Sequence, residues 1–409
     1  MTGLEGPTSD WRSVPFDEAI AYFRDKVRLP TDAWTDLWEG MHARAFVVAG
    51  ARNDAMLADF QDAIGRALRD GTTLDQFRKD FDAIVARYGW SYKGGRNWRS
   101  RVIFETNLNQ AQNAGRWAQA QRLKDRRPFL RYVHRTIDNP RLDHKSWHNV
   151  VLPVDDPWWD THMPMNGWGC KCMVQSLSEE GVARLRREGE KIQTVAPPVQ
   201  WETRTVNTPR GPRSVRTPKG IDPGFGANPG RAAFGGAPRG ADTFVRLEAP
   251  GEAPSPPPPL AARPLIGAFA PDAPLPTDAA GMRAAFTAAL GGEERIVRDP
   301  FGSAIAIAIS IGLADALPVG SPLVRLFPLL PELVEAADEV WAGFYAAPDG
   351  RVILRRRFVS LRLILGKAFG FVLDADARQL VRFTAYAPDE AFSAERAGLL
   401  LQRRPGPAG

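Results

Sequence analysis

Two histidines and two cysteines lie close together in the sequence and carry side chains that a metal ion prefers. Cys170 and Cys172 are the only cysteines of the chain, and four of the five histidines lie between residues 134 and 162. Two imidazoles and two thiolates suit a tetrahedral zinc ion, which would stabilise a loop-rich segment. The predicted ligands are His144, His162, Cys170 and Cys172.

The spacing of these residues leaves alternatives open. The Cys-x-Cys pair is tighter than the usual Cys-x2-Cys of zinc sites, so a pair of reduced, buried cysteines beside surface histidines is equally compatible with it. His148 follows His144 by four residues and could replace either imidazole on a helical turn. With one residue between the cysteines, disulfides cannot be the main cross-links of the fold, which indicates a reducing compartment.

A second group of residues could contact phosphates. The formal net charge is +6, and between residues 201 and 240 basic side chains outnumber Glu202 and Asp222. Such a segment favours contacts with a nucleic-acid backbone, although a solvated basic surface is the commoner explanation. The predicted nucleic-acid-binding residues are Arg204, Arg210, Arg213, Arg216 and Lys219.

Gly and Pro, with 37 and 35 residues, are concentrated between residues 196 and 276. The flanking regions have ordinary compositions, and 44% hydrophobic residues exclude a disordered or fibrous chain. The longest apolar run, Ala304 to Leu317, is too short for a bilayer helix, and we expect no secretory signal. We interpret residues 196–228 as an extended arm and the stretch after Pro250 as a flexible linker.

Hydrophobic periodicity predicts the elements that must position these residues. In the first part we expect helices with apolar stripes from Leu57 to Ala67, from Phe77 to Tyr88 and from Asn97 to Lys124, strands at 130–135 and 150–154, and a helix beginning at Ser178. In the last part we expect helices at 282–290 and 329–340, and strands at 305–311, 352–363, 367–373 and 380–386.

These elements predict a multidomain α+β protein. A helical region at 1–95 is followed by a loop-rich module with its arm at 96–245, cross-linked by zinc. A Pro-rich linker at 246–280 leads to a small α+β domain with an antiparallel sheet at 281–409. The amide-rich sides of the long helix at 97–124 fit either a surface helix or a helix that packs against several neighbours.

Several motifs in the middle of the chain resemble the Mu F-like phage head morphogenesis family, the minor head proteins. They are the segments 138–144, 151–153, 155–162, 164–172, 217–225 and 228–230. The resemblance implies a protein of the virion head, assembled in the bacterial cytoplasm, whose partners are portal and capsid proteins and packaged DNA. His148 departs from the family's pattern, so the resemblance favours His144 and His162 as ligands. A nuclease site at Asp155, Asp156 and Asp160 is a weaker alternative.

The C-terminal region resembles phage nuclease-like domains related to barnase, EndoU, colicin and RelE ribonucleases. The segments that carry this resemblance are 299–302, 335–341, 355–358, 371–374 and 383–386. It implies that RNA is a substrate of this domain. The alternatives are a non-catalytic domain that binds nucleic acid or protein, and a free toxin without a capsid partner.

RNA cleavage by transesterification needs a base, an acid and cations for the phosphorane. No histidine follows His162, so barnase-like histidine catalysis is excluded and a RelE-like arrangement is the hypothesis. Alternation along a strand predicts Arg355 and Arg357 on one face and Arg356 on the other, as a solvated edge charge. The predicted catalytic residues are Arg355, Arg357, Glu339, Lys367, Thr384 and Tyr386.

Overall fold

The computed structural model describes residues 16–135, 140–238, 244–252, 257–268, 270–300, 306–376 and 378–405. These form two compact units, the first comprising residues 1–241 with 348–351 and the second residues 242–347 with 352–409. The described parts of the regions predicted at 1–95 and 96–245 therefore belong to the same unit up to residue 238. The linker predicted at 246–280 lies within the second unit.

The first unit is mainly helical, with short sheets. Its helices are α1 Asp17–Arg24, α2 Asp54–Asp70, α3 Leu74–Tyr88, α4 Arg96–Leu123, α5 Leu142–Ser146, α6 Trp159–His162, α7 Glu179–Arg187 and α8 Pro229–Phe234, with 3-10 turns at Trp34–Asp36 and Glu39–Ala43. Its strands are β1 Val27–Arg28, β2 Ala45–Phe46, β3 Phe129–Val133, β4 Val151–Pro153, β5 Met173–Leu177, β6 Trp201–Thr208 and β7 Gly211–Pro218.

The bounds of α2 and α3 follow from their end residues. The side chains of Asn53 and Thr73 accept hydrogen bonds from the backbone three residues ahead, which satisfies an otherwise unpaired N–H at each helix start. Gly71 and Gly89 end the helices with positive φ, a conformation that glycine adopts without steric cost. The two helices predicted from apolar stripes in this region are confirmed.

The long helix α4 contacts several parts of the first unit. Gly115 allows α1 to approach, because a Cβ there would lie 2.9 Å from the backbone nitrogen of Ala19. Two residues further on, the buried indole of Trp117 donates a hydrogen bond of 2.8 Å to the carbonyl of Gly235, just after α8. The prediction of one helix over this stretch is confirmed, and its neighbours include elements of its own chain.

A small antiparallel sheet with the order β4-β3-β5 follows α4. Leu130 and Tyr132 of β3 are fully buried in an aromatic core that also contains Trp117, Trp147 and Trp158. The predicted strands at 130–135 and 150–154 correspond to β3 and β4. This core carries the loops in which the candidate metal ligands lie.

The predicted extended arm is in part a β-hairpin, which we call the ribbon. Its strands β6 and β7 pair antiparallel from Trp201↔Pro218 to Thr208↔Gly211. Thr203, Thr205 and Val215 supply the alternating branched residues typical of strands, a signal hidden by the surrounding Gly and Pro. The interpretation of residues 196–228 as an extended arm is therefore wrong for residues 201–218, which form a two-stranded sheet.

The second unit combines five described helical segments with a large sheet. The helices are α9 Ala279–Leu290, α10 Gly312–Asp315, α11 Leu330–Glu335 and α12 Glu390–Ala394, with a 3-10 segment at Pro322–Leu329. The strands are β8 Val245–Leu247, β9 Arg263–Pro264, β10 Glu294–Arg298, β11 Ala306–Ser310, β12 Glu339–Ala346, β13 Val352–Ile364, β14 Lys367–Asp376, β15 Gln379–Tyr386 and β16 Leu399–Arg403.

The sheet of the second unit has the order β10-β11-β15-β14-β13-β12-β16. Most neighbours are antiparallel, as predicted, and among the described strands of this unit only the short β11–β15 and β9–β13 pairings are parallel. The predicted strands at 352–363, 367–373 and 380–386 correspond to β13, β14 and β15. The strand predicted at 305–311 begins on Ile305, which lies outside the described residues, and its remainder forms β11.

Two other expectations for this unit are corrected. The predicted helix at 329–340 ends at Glu335, and Glu339 already belongs to β12, because the apolar run 340–346 completes the sheet. The predicted linker contains β8 and β9, which pair with β12 and β13. Backbone hydrogen bonds thus fix parts of a segment whose composition indicated flexibility.

The core of the second unit lies between the sheet and the helices α9 and α11. Phe327, Leu330, Phe358 and Phe371 are buried in it. Across the described part of the chain, no helix is both long enough and apolar enough to cross a lipid bilayer.

Candidate functional site

Three of the four predicted metal ligands come together in the first unit. His144, Cys170 and Cys172 are buried, and their ligand atoms all lie within 4.8 Å of one another. The Nδ1 atom of His144 is 3.6 Å from the sulfur of Cys170 and 3.8 Å from that of Cys172. We call these three residues the thiol–imidazole cluster.

The distances in this cluster fit a tetrahedral zinc site. Zinc lies about 2.3 Å from sulfur and about 2.0 Å from nitrogen, so tetrahedral angles give sulfur–nitrogen separations of about 3.6 Å. The observed separations of 3.6 and 3.8 Å agree with this value. Two soft thiolates with an imidazole are also the donor set that favours zinc over the harder divalent ions.

The orientation of His144 leaves its Nδ1 atom available as a ligand. The other ring nitrogen, Nε2, lies 2.9 Å from the carbonyl oxygen of Gly220. Since a carbonyl only accepts hydrogen bonds, Nε2 carries the proton and the Nδ1 lone pair faces the two thiols. Trp147 stacks on the ring at 5.1 Å between centroids and limits its rotation.

The Cys-x-Cys loop is held by the long helix α4. The side-chain amides of Asn109 and Asn113 donate long hydrogen bonds of 3.4 and 3.5 Å to the carbonyls of Cys170 and Cys172. Between these two cysteines, Lys171 forms an ion pair of 2.7 Å with Glu105 of the same helix. The amide-rich side of α4 therefore positions the loop within its own chain.

The two thiols shift each other's pKa in opposite directions. The hydrogen bond from Cys172 holds the pKa of Cys170 well below its usual range in spite of burial. The interaction with Cys170, together with burial, raises the pKa of Cys172. A cation bound between the two sulfurs would favour the ionised form of both thiols.

The fourth predicted ligand, His162, lies outside the cluster. Its Nδ1 atom is 2.8 Å from the hydroxyl of Thr161, and its ring stacks on Trp158 with centroids 4.3 Å apart. Burial lowers the pKa of His162 to about 4, so the ring is neutral in the folded chain. The structure thus corrects the placement of His162 beside the cysteines.

Another imidazole approaches the cluster instead. The Nδ1 atom of His134 lies 3.5 Å from the sulfur of Cys172, another separation that a tetrahedral site would show. His148, the alternative from the sequence, accepts a hydrogen bond of 3.2 Å from the backbone N–H of His134 and stands behind it. His134 thus has a better position for a fourth ligand than either His162 or His148.

The predicted nucleic-acid-binding residues do not share one face of the ribbon. Strand alternation and the register put Arg204 and Arg213 on one face and Arg216 on the other. Arg210 lies in the turn, and Lys219 follows the end of β7. Any nucleic acid that contacts all five residues would have to surround the ribbon.

Two of these arginines also have partners within the ribbon. Arg204 forms an ion pair of 2.6 Å with Glu202, and the guanidinium of Arg216 lies over the ring of Trp201 at 4.9 Å. Both side chains remain largely exposed, so a phosphate could still compete for them. The ribbon is thus a weakly basic surface.

In the second unit, Arg355 and Arg357 lie on the same face of the sheet, as predicted. Arg357 forms a two-pronged ion pair with Asp374, with its closest contact at 2.7 Å, and also contacts Glu395 at 2.5 Å. Arg355 pairs with Asp376 at 2.8 Å. Each predicted phosphate-binding cation therefore already has a carboxylate partner.

A charged cluster surrounds Arg357. Arg382 contacts Asp374 at 3.1 Å and Glu395 at 2.8 Å, while the hydroxyl of Tyr386 donates to Glu395 at 2.5 Å. We use the name charged cluster for six residues: Tyr345, Arg357, Asp374, Arg382, Tyr386 and Glu395. Its two guanidinium groups balance its two carboxylates, which leaves little net attraction for a phosphate.

The other predicted catalytic residues are dispersed. Lys367 begins β14 opposite Ile364, nine residues along β13 from Arg355 and thus about 30 Å away at about 3.3 Å per residue. Glu339 is fully buried and ion-paired with Arg396 at 2.8 Å, so it cannot reach solvent. Thr384 lies opposite Val372, on the face of the charged cluster.

The expectation for Arg356 as a solvated edge charge is wrong. Its side chain points to the core side, is 3% exposed and forms an ion pair with Asp299. Asp299 begins a segment, 299–302, that carried part of the nuclease resemblance. Phe301 and Gly302 of that segment lie outside the described residues.

Comparison with known proteins bears on the first unit. Residues 58–175 match the family model of Phage Mu protein F like protein. This region extends from α2 to β5 and contains His134 and the whole thiol–imidazole cluster. The similarity predicted from the sequence motifs is confirmed there, whereas the nuclease-like resemblance of the second unit stays a prediction.

Two relatives are similar over a longer stretch. The chain is 30% identical over 247 residues to the putative capsid assembly protein F of Escherichia phage Mu, which covers 54% of this chain and 56% of that protein. It is 30% identical over 223 residues to the Mu-like prophage FluMu F protein of Haemophilus influenzae, covering 49% and 53%. The chain thus spans about half the length of these curated relatives. No solved structure matches it.

Sequence reasoning missed several residues of these sites. His134 precedes the motifs of the resemblance, and only the fold brings it to Cys172. Asp374 could have been found from the sequence, because it lies within the apolar strand 371–375 and a carboxylate that is buried there needs an oppositely charged partner. Glu395 lies beyond the last predicted strand, and nothing in its neighbourhood marks it.

Proposed function

We propose that this protein acts in head assembly of a Mu-like phage or prophage. The observation that carries the proposal is the family match over residues 58–175, within which the chain builds an ordered thiol–imidazole cluster. The similarity to a putative capsid assembly protein supports capsid and portal proteins as partners. The protein would then act in the host cytoplasm during assembly and remain in the virion head.

Genetic complementation tests this function. The gene is deleted from the phage or prophage that encodes it, and the wild-type chain is supplied in trans. We expect the deletion to reduce the number of DNA-filled heads seen by electron microscopy, and the wild-type chain to restore it and to co-purify with procapsids. Normal heads without the protein would contradict the proposal, and its absence from procapsids would favour a free toxin instead.

We further propose that the thiol–imidazole cluster holds a structural zinc ion. Support comes from the tetrahedral separations, the burial of all three ligands and the carbonyl that fixes the tautomer of His144. The zinc would supply the positive charge that lets both thiols ionise and would cross-link α5 to the Cys-x-Cys loop. With His134 as a fourth protein ligand the site would be closed, and the role of the zinc would then be structural, because catalytic zinc sites keep one position open.

Metal analysis of purified variants tests the zinc site and its fourth ligand. We expect one zinc per wild-type chain and loss of the metal in Cys170→Ser. His134→Ala should bind zinc at least about ten-fold more weakly, whereas His162→Ala should bind it like the wild type. If His162→Ala weakened zinc binding and His134→Ala did not, His162 would be the fourth ligand instead. A wild-type protein that contains no zinc would refute the site.

For the second unit, RNA cleavage is the finer hypothesis. Arg355, Arg357, Thr384 and Tyr386 share one face of the sheet, which supports it, while the compensated charges of the cluster favour the alternative of a non-catalytic binding module. The full chain is assayed with a labelled RNA. We expect Tyr386→Phe to slow cleavage and Lys367→Met, about 30 Å from Arg355, to leave it unchanged. Absence of cleavage by the wild-type chain would decide for the binding module.

Packaged DNA is the partner that we propose for the ribbon. Exposed basic residues on both faces and in the turn support weak contacts to phosphates. Fluorescence anisotropy with duplex DNA should show binding that weakens steeply with salt. Replacing Arg213 and Lys219 by Gln should weaken DNA binding at a given salt concentration, whereas Lys79→Gln, at an exposed position of α3, should not. A DNA affinity that changes neither with salt concentration nor in the ribbon variants would contradict this role.

A further inference from the structure

The first unit contains a cavity that neither the metal site nor the ribbon uses. It has a volume of about 290 Å³ and lies between the first half of α4, the segment that follows β2 and the loop that contains Trp168. Trp34, Trp168, Phe225 and Val102 form apolar walls, and Lys26 and His42 also line it. A space of this size, with mostly apolar walls and few polar groups, is typical of a site for a small ligand.

The ammonium group of Lys26 is the unusual feature of this cavity. The residue is 5% exposed, and within the described part of the chain it has no hydrogen-bond or ion-pair partner for its side chain. Its contacts are aromatic, with the ring centroid of Tyr22 at 4.5 Å and that of Phe23 at 5.9 Å. A buried ammonium without an anion is costly, because rings replace only part of its hydration.

The other polar groups at the cavity do not compensate this charge. Arg99 donates to the carbonyl of Ala49 and lies over the ring of Trp90 at 5.4 Å, so its guanidinium is already engaged. His42 adds a second base, and Asn107 donates to the carbonyl of Ile103. Among the described residues that line the cavity there is no carboxylate, so no negatively charged side chain balances Lys26 there.

Aromatic rings that contact one another form one corner of the cavity. Trp168 packs edge-to-face against Trp34 at 5.9 Å and against Phe225 at 4.9 Å between centroids. Such a corner of three rings offers flat apolar contact without further ordering of side chains. An apolar group that enters the cavity would therefore gain burial while the cavity keeps its shape.

We propose that this cavity binds a carboxylate carried on a compact apolar body, with Lys26 as the counter-ion and the Trp34–Trp168–Phe225 corner as the apolar wall. The carboxylate would offset the free-energy cost of desolvating the Lys26 ammonium. The volume of the cavity fits an apolar group about as large as one aromatic amino acid. Burial lowers the pKa of Lys26 to about 7 in the unliganded chain, and a bound carboxylate would restore its charged form.

Two sources could supply this chemistry: a free small acid, or the C-terminal aromatic residue of a peptide chain. The shared chemistry is a carboxylate next to an apolar group, and the two sources differ in the body. Octanoate represents the first source and N-acetyl-phenylalanine the second. Each acid is compared with its own amide, which keeps the body and removes the charge.

Calorimetric titration of the full chain with these four probes tests the proposal. We expect at least one acid to bind at least about ten-fold more tightly than its amide, since a hydrogen bond to a charged partner is worth about 1.5–3 kcal/mol. Lys26→Met, which keeps the length of the side chain, should abolish the preference. Lys79→Met, at an exposed position of α3, should retain the preference.

A second variant keeps the test decisive if Lys26→Met fails to fold. Val102→Phe places a larger side chain in the cavity and leaves Lys26 in place, so it should weaken binding of the preferred acid by at least about ten-fold. Equal affinities for acid and amide in the wild type, or no acid binding at concentrations up to about 1 mM, would overturn the proposal. So would unchanged binding in the Val102→Phe variant.

Discussion

The two units bury polar groups in different ways. In the first unit most buried polar side chains are neutral amides, hydroxyls and imidazoles, such as Asn113, Thr217 and His162. In the second unit they are mainly charged and paired, as in Arg362 with Asp338 at 2.6 Å and Arg396 with Glu339 at 2.8 Å.

This difference follows from the elements that each unit must hold together. Long strands such as β13 bring facing side chains into register, so oppositely charged residues can meet across strands and specify that register. The loops around the Cys-x-Cys pair lack a ladder of backbone hydrogen bonds, and a metal ion is an efficient cross-link for such segments. We therefore expect the two units to respond differently to chelators, to lost charges and to acid.

The largest expected effect is removal of the metal. A chelator or Cys170→Ser should lower the melting temperature of the first unit by about 10 °C or more, because structural zinc contributes several kcal/mol to folding. Tryptophan fluorescence reports on this unit, since Trp341 is the only one of the 12 tryptophans that lies in the second. Hydrogen exchange in β13 should stay unchanged. Equal melting with and without chelator would contradict the proposed difference.

Breaking a buried ion pair should destabilise the second unit instead. Glu339→Gln leaves the guanidinium of Arg396 buried beside a neutral amide, which should cost about 3–5 kcal/mol. Asp315→Asn is the matched control, because its pair with Arg283 is about half exposed and should contribute less than about 1 kcal/mol. Hydrogen exchange of β12 and β16 measures both changes, and equal losses would show that burial does not decide the effect.

Mild acid should affect the first unit selectively. Burial lowers the pKa of His42 to about 4, so the unfolded chain takes up a proton near pH 6.5 that the folded chain refuses. Stability is then complete above pH 6.5 and falls with pH, by about 2 kcal/mol at pH 5 from this residue. The second unit contains no histidine. His42→Gln should reduce the pH dependence of urea unfolding without abolishing it, because burial also lowers the pKa of His162 to about 4. An unchanged slope would exclude His42 as a cause.

The smallest expected effect concerns helix packing in the first unit. Gly115→Ala should destabilise it by about 1 kcal/mol, because the added Cβ would press on the backbone of Ala19 while gaining some helix propensity. Gly181→Ala in α7 has ordinary contacts of 3.4 Å or more and should stabilise the unit by about 0.5 kcal/mol. Urea midpoints followed by tryptophan fluorescence measure both, and shifts of the same sign would refute the steric argument.

The sequence was sufficient wherever one local pattern determined the outcome. Apolar periodicity predicted α2, α3 and α4, and alternation predicted that Arg355 rather than Arg356 shares a face with Arg357. Residue chemistry alone selected Cys170 and Cys172.

The rest depends on contacts between distant segments. His134 meets Cys172 across 38 residues, and Arg357 meets Glu395 through a helix that follows the sheet. Such pairings arise from strand register and loop paths, which composition and periodicity do not encode. The ribbon was missed for a different reason, since Gly and Pro around it concealed a short alternating pattern.

The helix α4 sets a limit on how this protein can vary in length. Its 28 residues form a helix about 42 Å long. Along it, Asn109 and Asn113 hydrogen-bond to the Cys-x-Cys loop, Gly115 packs closely against α1, and Trp117 hydrogen-bonds to the segment after α8. One inserted residue would turn everything beyond it by about 100° and break this alignment. Insertions and deletions should therefore be excluded from α4, whereas the turn of the ribbon should accept them.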